Sequence, residues 1–234
     1  MRTYRFPDCP DLPSVTTILH EVWPRPRLTQ WMLGEVANYA TDAHERSVRD
    51  GTPWPSRDAL IGAATAKRDA AGLRGRRVHA VAEAICLGLP MPDVAPEHEG
   101  YVLAIKSFLS ESGAAMLASE MVVRDRTGPT PYAGTLDAVM TIDVPGHGRR
   151  NAVVDWKTSA LIFAEHHVQV AAYAAAPECR PHPLGSVGPM SLLEIETGFV
   201  VRLTPTGSYA AEEVDLSAGL ETWRAVCRVW EASR

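Results

Sequence analysis

The stretch Tyr132-Ala-Gly-Thr-Leu-Asp-Ala-Val-Met-Thr-Ile-Asp-Val-Pro-Gly-His-Gly-Arg-Arg-Asn-Ala-Val-Val-Asp-Trp-Lys157 decides the fold. Two apolar and β-branched runs, 132–142 and 151–157, flank a turn built on Pro145, Gly146 and Gly148, which is the pattern of a hairpin. Asp137, Asp155 and Lys157 stand inside runs that otherwise read as buried strands, and buried charge is costly unless it is paired or bound to a metal. The two-residue period of a strand puts Asp155 and Lys157 on one face and Val154 and Trp156 on the other. A hairpin centred on Gly146 sets Asp137 opposite Asp155. Opposed residues have Cβ atoms about 5 Å apart, so two carboxylates there repel unless a cation lies between them. Oxygen ligands favour a hard ion such as Mg²⁺ or Mn²⁺. Spacing alone leaves a plainer alternative open, an Asp137–Lys157 salt bridge at a strand edge with Asp155 solvated.

Outward from this hairpin, Met116 to Arg124 reads as a preceding strand carrying Glu120 as a further candidate acid. Leu192 to Leu203 and Ser208 to Val214 read as a later hairpin around Pro205-Thr-Gly207. Helical spacing or alanine-rich composition predicts helices over 28–48, 56–87 (with a joint near Ala71-Gly72), 97–112, 164–176 and 216–232, and Leu12 to Leu19 reads as a short helix or turn. Pro177 to Pro189 reads as a surface loop. The predicted fold class is α/β, a mixed β-sheet flanked by helices with a helical N-terminal extension. A single domain is expected over residues 1–234, mainly helical through 95, with the sheet core and closing helix over 96–234.

Twenty-three Lys and Arg against 28 Asp and Glu give a net charge of -5. Such a chain has no global attraction for nucleic acid, so phosphate binding requires a local basic patch. Arg74, Arg76 and Arg77, Arg149 and Arg150 in the turn, and Arg25 and Arg27 near the start are the candidates for DNA contacts. No apolar run approaches the roughly 20 residues needed to span a bilayer, and Met1 to Pro10 lacks the pattern of a signal peptide, so a cytoplasmic protein with no membrane partner is expected. Cys9, Cys86, Cys179 and Cys227 lie far apart with no paired spacing and read as core thiols.

Arg74-Gly-Arg-Arg-Val-His79-Ala-Val-Ala-Glu83 places Arg76, His79 and Glu83 at helical offsets, a polar stripe on an Ala/Val-rich helix. Gln169 and Tyr173 lie one turn apart on the helix after Lys157. Glu165-His166-His167 is the natural metal cluster for some other hydrolase, but adjacent histidines point apart on a helix and the His-Glu-x-x-His spacing is missing.

The ordered set His79, Glu83, Glu120, Gly134-Thr-Leu-Asp137, Asp155-Trp-Lys157, Gln169 and Tyr173 resembles the RecB-like branch of the PD-(D/E)XK nuclease superfamily. Pro13-Ser-Val-Thr-Thr17 is similar to the entry segment of stand-alone phage exonucleases of that branch. The resemblance spans roughly residues 13 to 175. It implies a restriction-endonuclease-like core and a Mg²⁺- or Mn²⁺-dependent deoxyribonuclease. In it Asp137 and Asp155 bind the metal with help from His79 and the backbone carbonyl of Trp156, while Lys157 orients the attacking water. Glu83 supports the metal site, and Gln169 and Tyr173 contact DNA or brace the lysine. It further implies an exonuclease in recombination or DNA processing, acting in the host cytoplasm if phage-encoded, with a recombinase, single-strand-binding protein or helicase as separate partners. Relatives that carry an iron-sulfur cluster hold it with a compact C-terminal cysteine group. Cys179 and Cys227 are too far apart to mimic that group, so no cluster is expected. The alternative is a catalytically inactive, nuclease-like DNA-binding or assembly subunit.

Overall fold

The computed structural model describes residues 3–180 and 186–234. In chain order these form strands β1 (Thr3–Phe6) and β2 (Cys9–Pro13), helices α1 (Val15–Val22), α2 (Pro26–Asp50), α3 (Arg57–Leu87) and α4 (Glu99–Glu111), and strands β3 (Ala115–Asp125), β4 (Tyr132–Val144) and β5 (Gly148–Lys157). Helix α5 (Ala164–Ala174), strands β6 (Glu178–Arg180), β7 (Gly188–Pro189), β8 (Thr197–Leu203) and β9 (Tyr209–Val214), and helix α6 (Leu216–Ala232) complete the chain.

Seven strands make one sheet in the order β7-β6-β3-β4-β5-β8-β9. Among the described strands only β5 and β8 pair in parallel. A parallel pair needs a long crossover, and the segment between these two strands carries α5. The protein is thus α/β with a mixed sheet flanked by helices. The central hairpin turns through Gly146 and Gly148, at φ of +77° and +74°, and pairs Ala138 with Val154 and Val144 with Gly148.

Each face of the sheet buries its own apolar layer. On one, Ile18 of α1, Val168 and Tyr173 of α5, and Trp223 and Trp230 of α6 cover Val123, Val139, Val153 and Val200. In α6 the buried side chains Trp223, Val226, Cys227 and Trp230 recur at offsets of three, four and seven, and Asp215 caps the helix by accepting from the Ala218 N–H at 2.9 Å. On the other face, Val78 and Val81 from the end of α3 and Tyr101, Ile105 and Phe108 of α4 cover Met140, Val154, Trp156 and Val201. Strand β5 is therefore buried on both sides. Full burial of such a side chain stabilises the fold by about 1.5–3 kcal/mol, so Val153, Val154 and Trp156 hold the strand end rigidly for the charged residues beside them.

The chain forms two compact units, one comprising residues up to Trp23 and from Arg77 onward, the other Pro24–Arg76. The boundary near residue 95 read from the sequence marks the end of the mainly helical part within a single expected domain. The second unit consists of α2 and the first part of α3, with Ala43 and Ala64 as its buried apolar side chains and a Lys67–Glu35 ion pair. Helix α2 ends at Gly51, in the left-handed region at φ +71°, whose N–H bonds the Ser47 carbonyl.

Several elements differ from expectation. Helix α3 continues unbroken past Ala71-Gly72. A lone glycine costs a helix only about 1 kcal/mol, and no proline interrupts this stretch. Strand β8 starts at Thr197, since Met190–Leu193 forms a 3-10 turn that Glu194 closes at φ +46°. Strands β1 and β2 were hidden by prolines at 7, 10 and 13, which an edge hairpin tolerates. The expected loop at 177–189 contains the short strands β6 and β7, and its residues 181–185 lie outside the described residues. Among the described residues no helix is long and apolar enough to cross a membrane.

Candidate metal centre

Three acids from three adjacent strands fall on one register row. Ser119 pairs with Ala138 and Met121 with Leu136, so Glu120 of β3 lies across from Asp137 of β4. The β4–β5 ladder ends at Ala138 and Val154, so the next position opposite Asp137 is Asp155. Glu120 sits at φ +46°. Leu136 and Val139 are three residues apart yet pack on the same face, so the alternation of side chains slips at Asp137.

The two aspartates take different partners. Asp137 turns to α3, its Oδ1 lying 3.2 Å from His79 Nδ1, and its Oδ2 accepts from the Trp156 N–H at 2.8 Å. Asp155 turns to α5 instead: Oδ2 lies 2.6 Å from Lys157 Nζ, and Oδ1 accepts from Gln169 Nε2 at 3.2 Å. The two carboxylates thus take different hydrogen-bond partners, while the Asp137 charge still reaches Asp155.

Trp156 is the hinge of the arrangement. Its ring is buried edge-on against Phe108, with centroids 5.4 Å apart. Its N–H serves Asp137, and its carbonyl accepts from His79 Nε2 at 3.0 Å. Packing of one side chain thereby fixes two polar backbone groups at the site.

Lys157 Nζ also donates to Gln169 Oε1 at 3.4 Å, and Gln169 Nε2 is within 3.1 Å of Tyr173 Oη. Tyr173 is buried beneath Gly134, where an added Cβ would lie 2.3 Å from the ring. Glycine at 134 is thus the space that admits the tyrosine, which in turn carries the glutamine.

The electrostatics follow from burial and neighbours. Desolvation pushes the Asp155 carboxyl up to about 6 against the pull of the Lys157 ammonium, with the Asp137 charge adding to the rise. Burial would depress the His79 imidazole, but the Asp137 carboxylate against it raises it to about 9. Asp137 is likewise penalised by burial, and His79 holds its carboxyl below the ordinary range.

One ligand atom each of His79, Glu120 and Asp137 lies within 4.8 Å of the other two. One imidazole and two carboxylates are groups of the kind that could hold a metal ion. His79 would give up one of its present contacts to serve as a ligand. Asp155 stands beside this trio, engaged with Lys157, and the Trp156 carbonyl stands against His79.

Other expected residues fall elsewhere. Glu83 lies one turn beyond His79, half-buried and outside the trio. Arg149 and Arg150 begin β5, whereas Asp155 and Lys157 end it, a separation of about 16 Å at 3.3 Å per residue. They lie near Asp143 and Glu196, at 3.9 and 3.8 Å, so neither lines the metal site. Arg77 is exposed two residues before His79, while Arg74 and Arg76 belong to the second unit. In the rival cluster, His166 Nδ1 accepts from the Phe163 N–H at the start of α5, and His167 pairs with Glu212 of β9 at 3.1 Å. The two histidines serve different partners. Cys179 and Cys227 are buried thiols in β6 and α6, and burial pushes Cys227 up to about 11.

Sequence reading missed Tyr4, whose hydroxyl lies 2.9 Å from Thr135 Oγ1, and Ser119, which donates to the Asp137 carbonyl at 3.3 Å. Thr135 was inside a quoted motif, but nothing local marked Tyr4.

No protein-family model matches the sequence, and no protein of curated function matches it. Among solved structures the chain is similar to one described as the crystal structure of SSO0001, with 14% identity over 81% of this chain and 71% of that one and a TM-score of 0.34. A likeness of that degree carries neither family nor function.

Proposed function

We propose that this protein is a Mg²⁺- or Mn²⁺-dependent DNA nuclease of the PD-(D/E)XK type, hydrolysing phosphodiester bonds. The observation that carries this reading is the register row Glu120–Asp137–Asp155, with His79 at one end and Lys157 at the other. Glu120, Asp137 and His79 would hold the cation, which when bound lowers the pKa of a water and neutralises charge developing on the phosphate. Lys157, kept in place by Asp155 and Gln169, would orient the attacking water. Tyr173 supports that placement through Gln169. Stand-alone exonuclease action on DNA ends in recombination or DNA processing, in the cytoplasm, is the physiological form we favour.

The test is degradation of end-labelled linear and covalently closed circular DNA with Mg²⁺, Mn²⁺ or EDTA, comparing wild type with Asp155→Ala and Lys157→Ala. Metal-dependent cleavage lost in both variants supports the reading, and sparing of circles identifies an exonuclease. A folded wild-type protein that cuts nothing with either metal overturns it in favour of an inactive DNA-binding or assembly subunit.

A further inference from the structure

The β1–β2 hairpin is fastened to the sheet with unusual thoroughness for an edge element. Arg124 of β3 is 3% exposed, yet its guanidinium makes a two-pronged contact with Asp8, both distances 2.7 Å, and donates to Glu178 at 2.7 Å. It also lies over the Phe6 ring at 4.6 Å. Phe6 and Leu12 pack against Val122 and Ala133. Immediately after β2, Ser14 bridges Ala133 of β4. Of these contacts, the packing of Phe6 and Leu12 and the Ser14 bridge reach Ala133 at the start of β4, four residues before Asp137.

Within this clamp Tyr4 is the residue that reaches furthest toward the carboxylate row. Its hydroxyl is 2.9 Å from Thr135 Oγ1, although 131 residues separate them in sequence. Thr135, paired with Val122 of β3, lies two positions before Asp137, where the strand alternation slips. Tyr4 also lies near Tyr173: the phenol of Tyr173 is raised well above its ordinary value, by burial first, then by Asp155 and by Tyr4.

We infer that Tyr4 is a positioning residue, whose hydroxyl fixes Thr135 and through it sets Asp137 within the His79–Glu120–Asp137 cluster. The inference rests on the metal-dependent reading above for its ligand, but it concerns residues outside the expected site. A neutral hydrogen bond contributes about 0.5–1.5 kcal/mol net, and outer-shell bonds that orient metal ligands change affinity by about 10- to 100-fold. A bond acting two residues away should come at the lower end of that range.

The experiment titrates Mn²⁺ into the full-length protein without DNA, reading free Mn²⁺ by electron paramagnetic resonance, for wild type, Tyr4→Phe, Thr135→Val, Thr135→Ser and the Tyr4→Phe/Thr135→Val pair. Tyr4→Phe and Thr135→Val should each weaken Mn²⁺ binding about 10-fold. The double variant should be no weaker than either single one, and Thr135→Ser, which keeps the hydroxyl, should bind as wild type does. A shared loss of fold would show as a lowered melting temperature in Thr135→Ser as well, which the inference does not expect. If Tyr4→Phe binds Mn²⁺ as wild type does, or if the two single losses multiply in the double variant, the positioning role is overturned. Wild type that binds Mn²⁺ with this pattern but cuts no DNA would sink the nuclease reading alone. Wild type that binds no Mn²⁺ overturns both.

Discussion

Glu120 faces Asp137 across β3 and β4 at a backbone φ of +46°, in the left-handed region that a residue with a side chain enters only at a cost. Strain of this kind amounts to about 1–3 kcal/mol and persists where the surrounding structure holds it in place. Here it turns a strand residue toward His79 and Asp137.

Replacing Glu120 by glycine should therefore separate stability from function. In an ordinary strand interior such a change lowers stability. At this position the metal-free Glu120→Gly protein should melt at or above the wild-type temperature while its metal-dependent cleavage falls about 100-fold or more, since one of three ligands is gone. Scanning calorimetry without metal checks the first half. A drop of several degrees would mean that φ at Glu120 is not strained in solution.

Gly134 makes the opposite case. A methyl group there would lie 2.3 Å from the Tyr173 ring, which is buried and cannot swing away. Overpacking of this kind costs about 1–3 kcal/mol, with a melting temperature lower by about 2–4 °C for each kcal/mol. Gly134→Ala should also lose activity, because a displaced Tyr173 no longer carries Gln169 to Lys157 and Asp155. Adding Tyr173→Leu should recover melting temperature but not cleavage. Recovery of both would remove Tyr173 from the site.

The parts of this architecture that were legible in the sequence are those specified locally. The β4–β5 hairpin was readable because Gly146 and Gly148 must adopt positive φ, and the register followed from the turn. Helix α6 was readable because its buried residues repeat at helical spacing. What escaped depended on contacts far apart in the chain. The N-terminal hairpin is held by Arg124, more than 100 residues away, and not by its own propensity. The slip in side-chain alternation at Glu120 and Asp137 involves two strands at once, and a strict two-residue period does not foresee it. Arg149 and Arg150, read as candidates for DNA contact, lie near the start of β5, at the opposite end of the strand from Asp155 and Lys157.

The Arg124 network sets an acid limit on the fold. Asp8 is lowered to about 2, with the hydrogen bond from Arg124 as the main cause, and Glu178 is lowered by Arg126 and Arg124. Folded-state values below the unfolded ones mean that this stabilisation is fully present above the unfolded carboxyl values, about 3.9 and 4.3, and is lost as pH falls through the folded values. Asp8→Asn and Glu178→Gln should therefore melt below wild type at pH 7, and the gap should close as pH falls from about 5 toward 2. Thermal melts across that range, at constant ionic strength, decide the matter: a gap that stays constant with pH would show that the two carboxylates contribute packing rather than charge.

Lys157 and Asp155 should be more costly to separate than to remove together. Asp155 is 1% exposed, and its charge is balanced by an ammonium 2.6 Å away, with Gln169 as the second contact. Lys157→Met keeps most of the side-chain volume but leaves the carboxylate buried with only the glutamine amide, and breaking a buried pair from one side costs about 3–5 kcal/mol. In Asp155→Asn/Lys157→Met both charges are gone, and a neutral amide can still bond Gln169. That double variant should recover most of the lost stability in urea unfolding without metal, while both proteins remain inactive on DNA. Recovery in the double variant would establish that the pair is held together by charge, so that the ammonium is available to the site only because Asp155 is ionised beside it. If the single variant is as stable as wild type, Lys157 is not the partner that makes the buried Asp155 tolerable, and its placement in the site loses its physical basis.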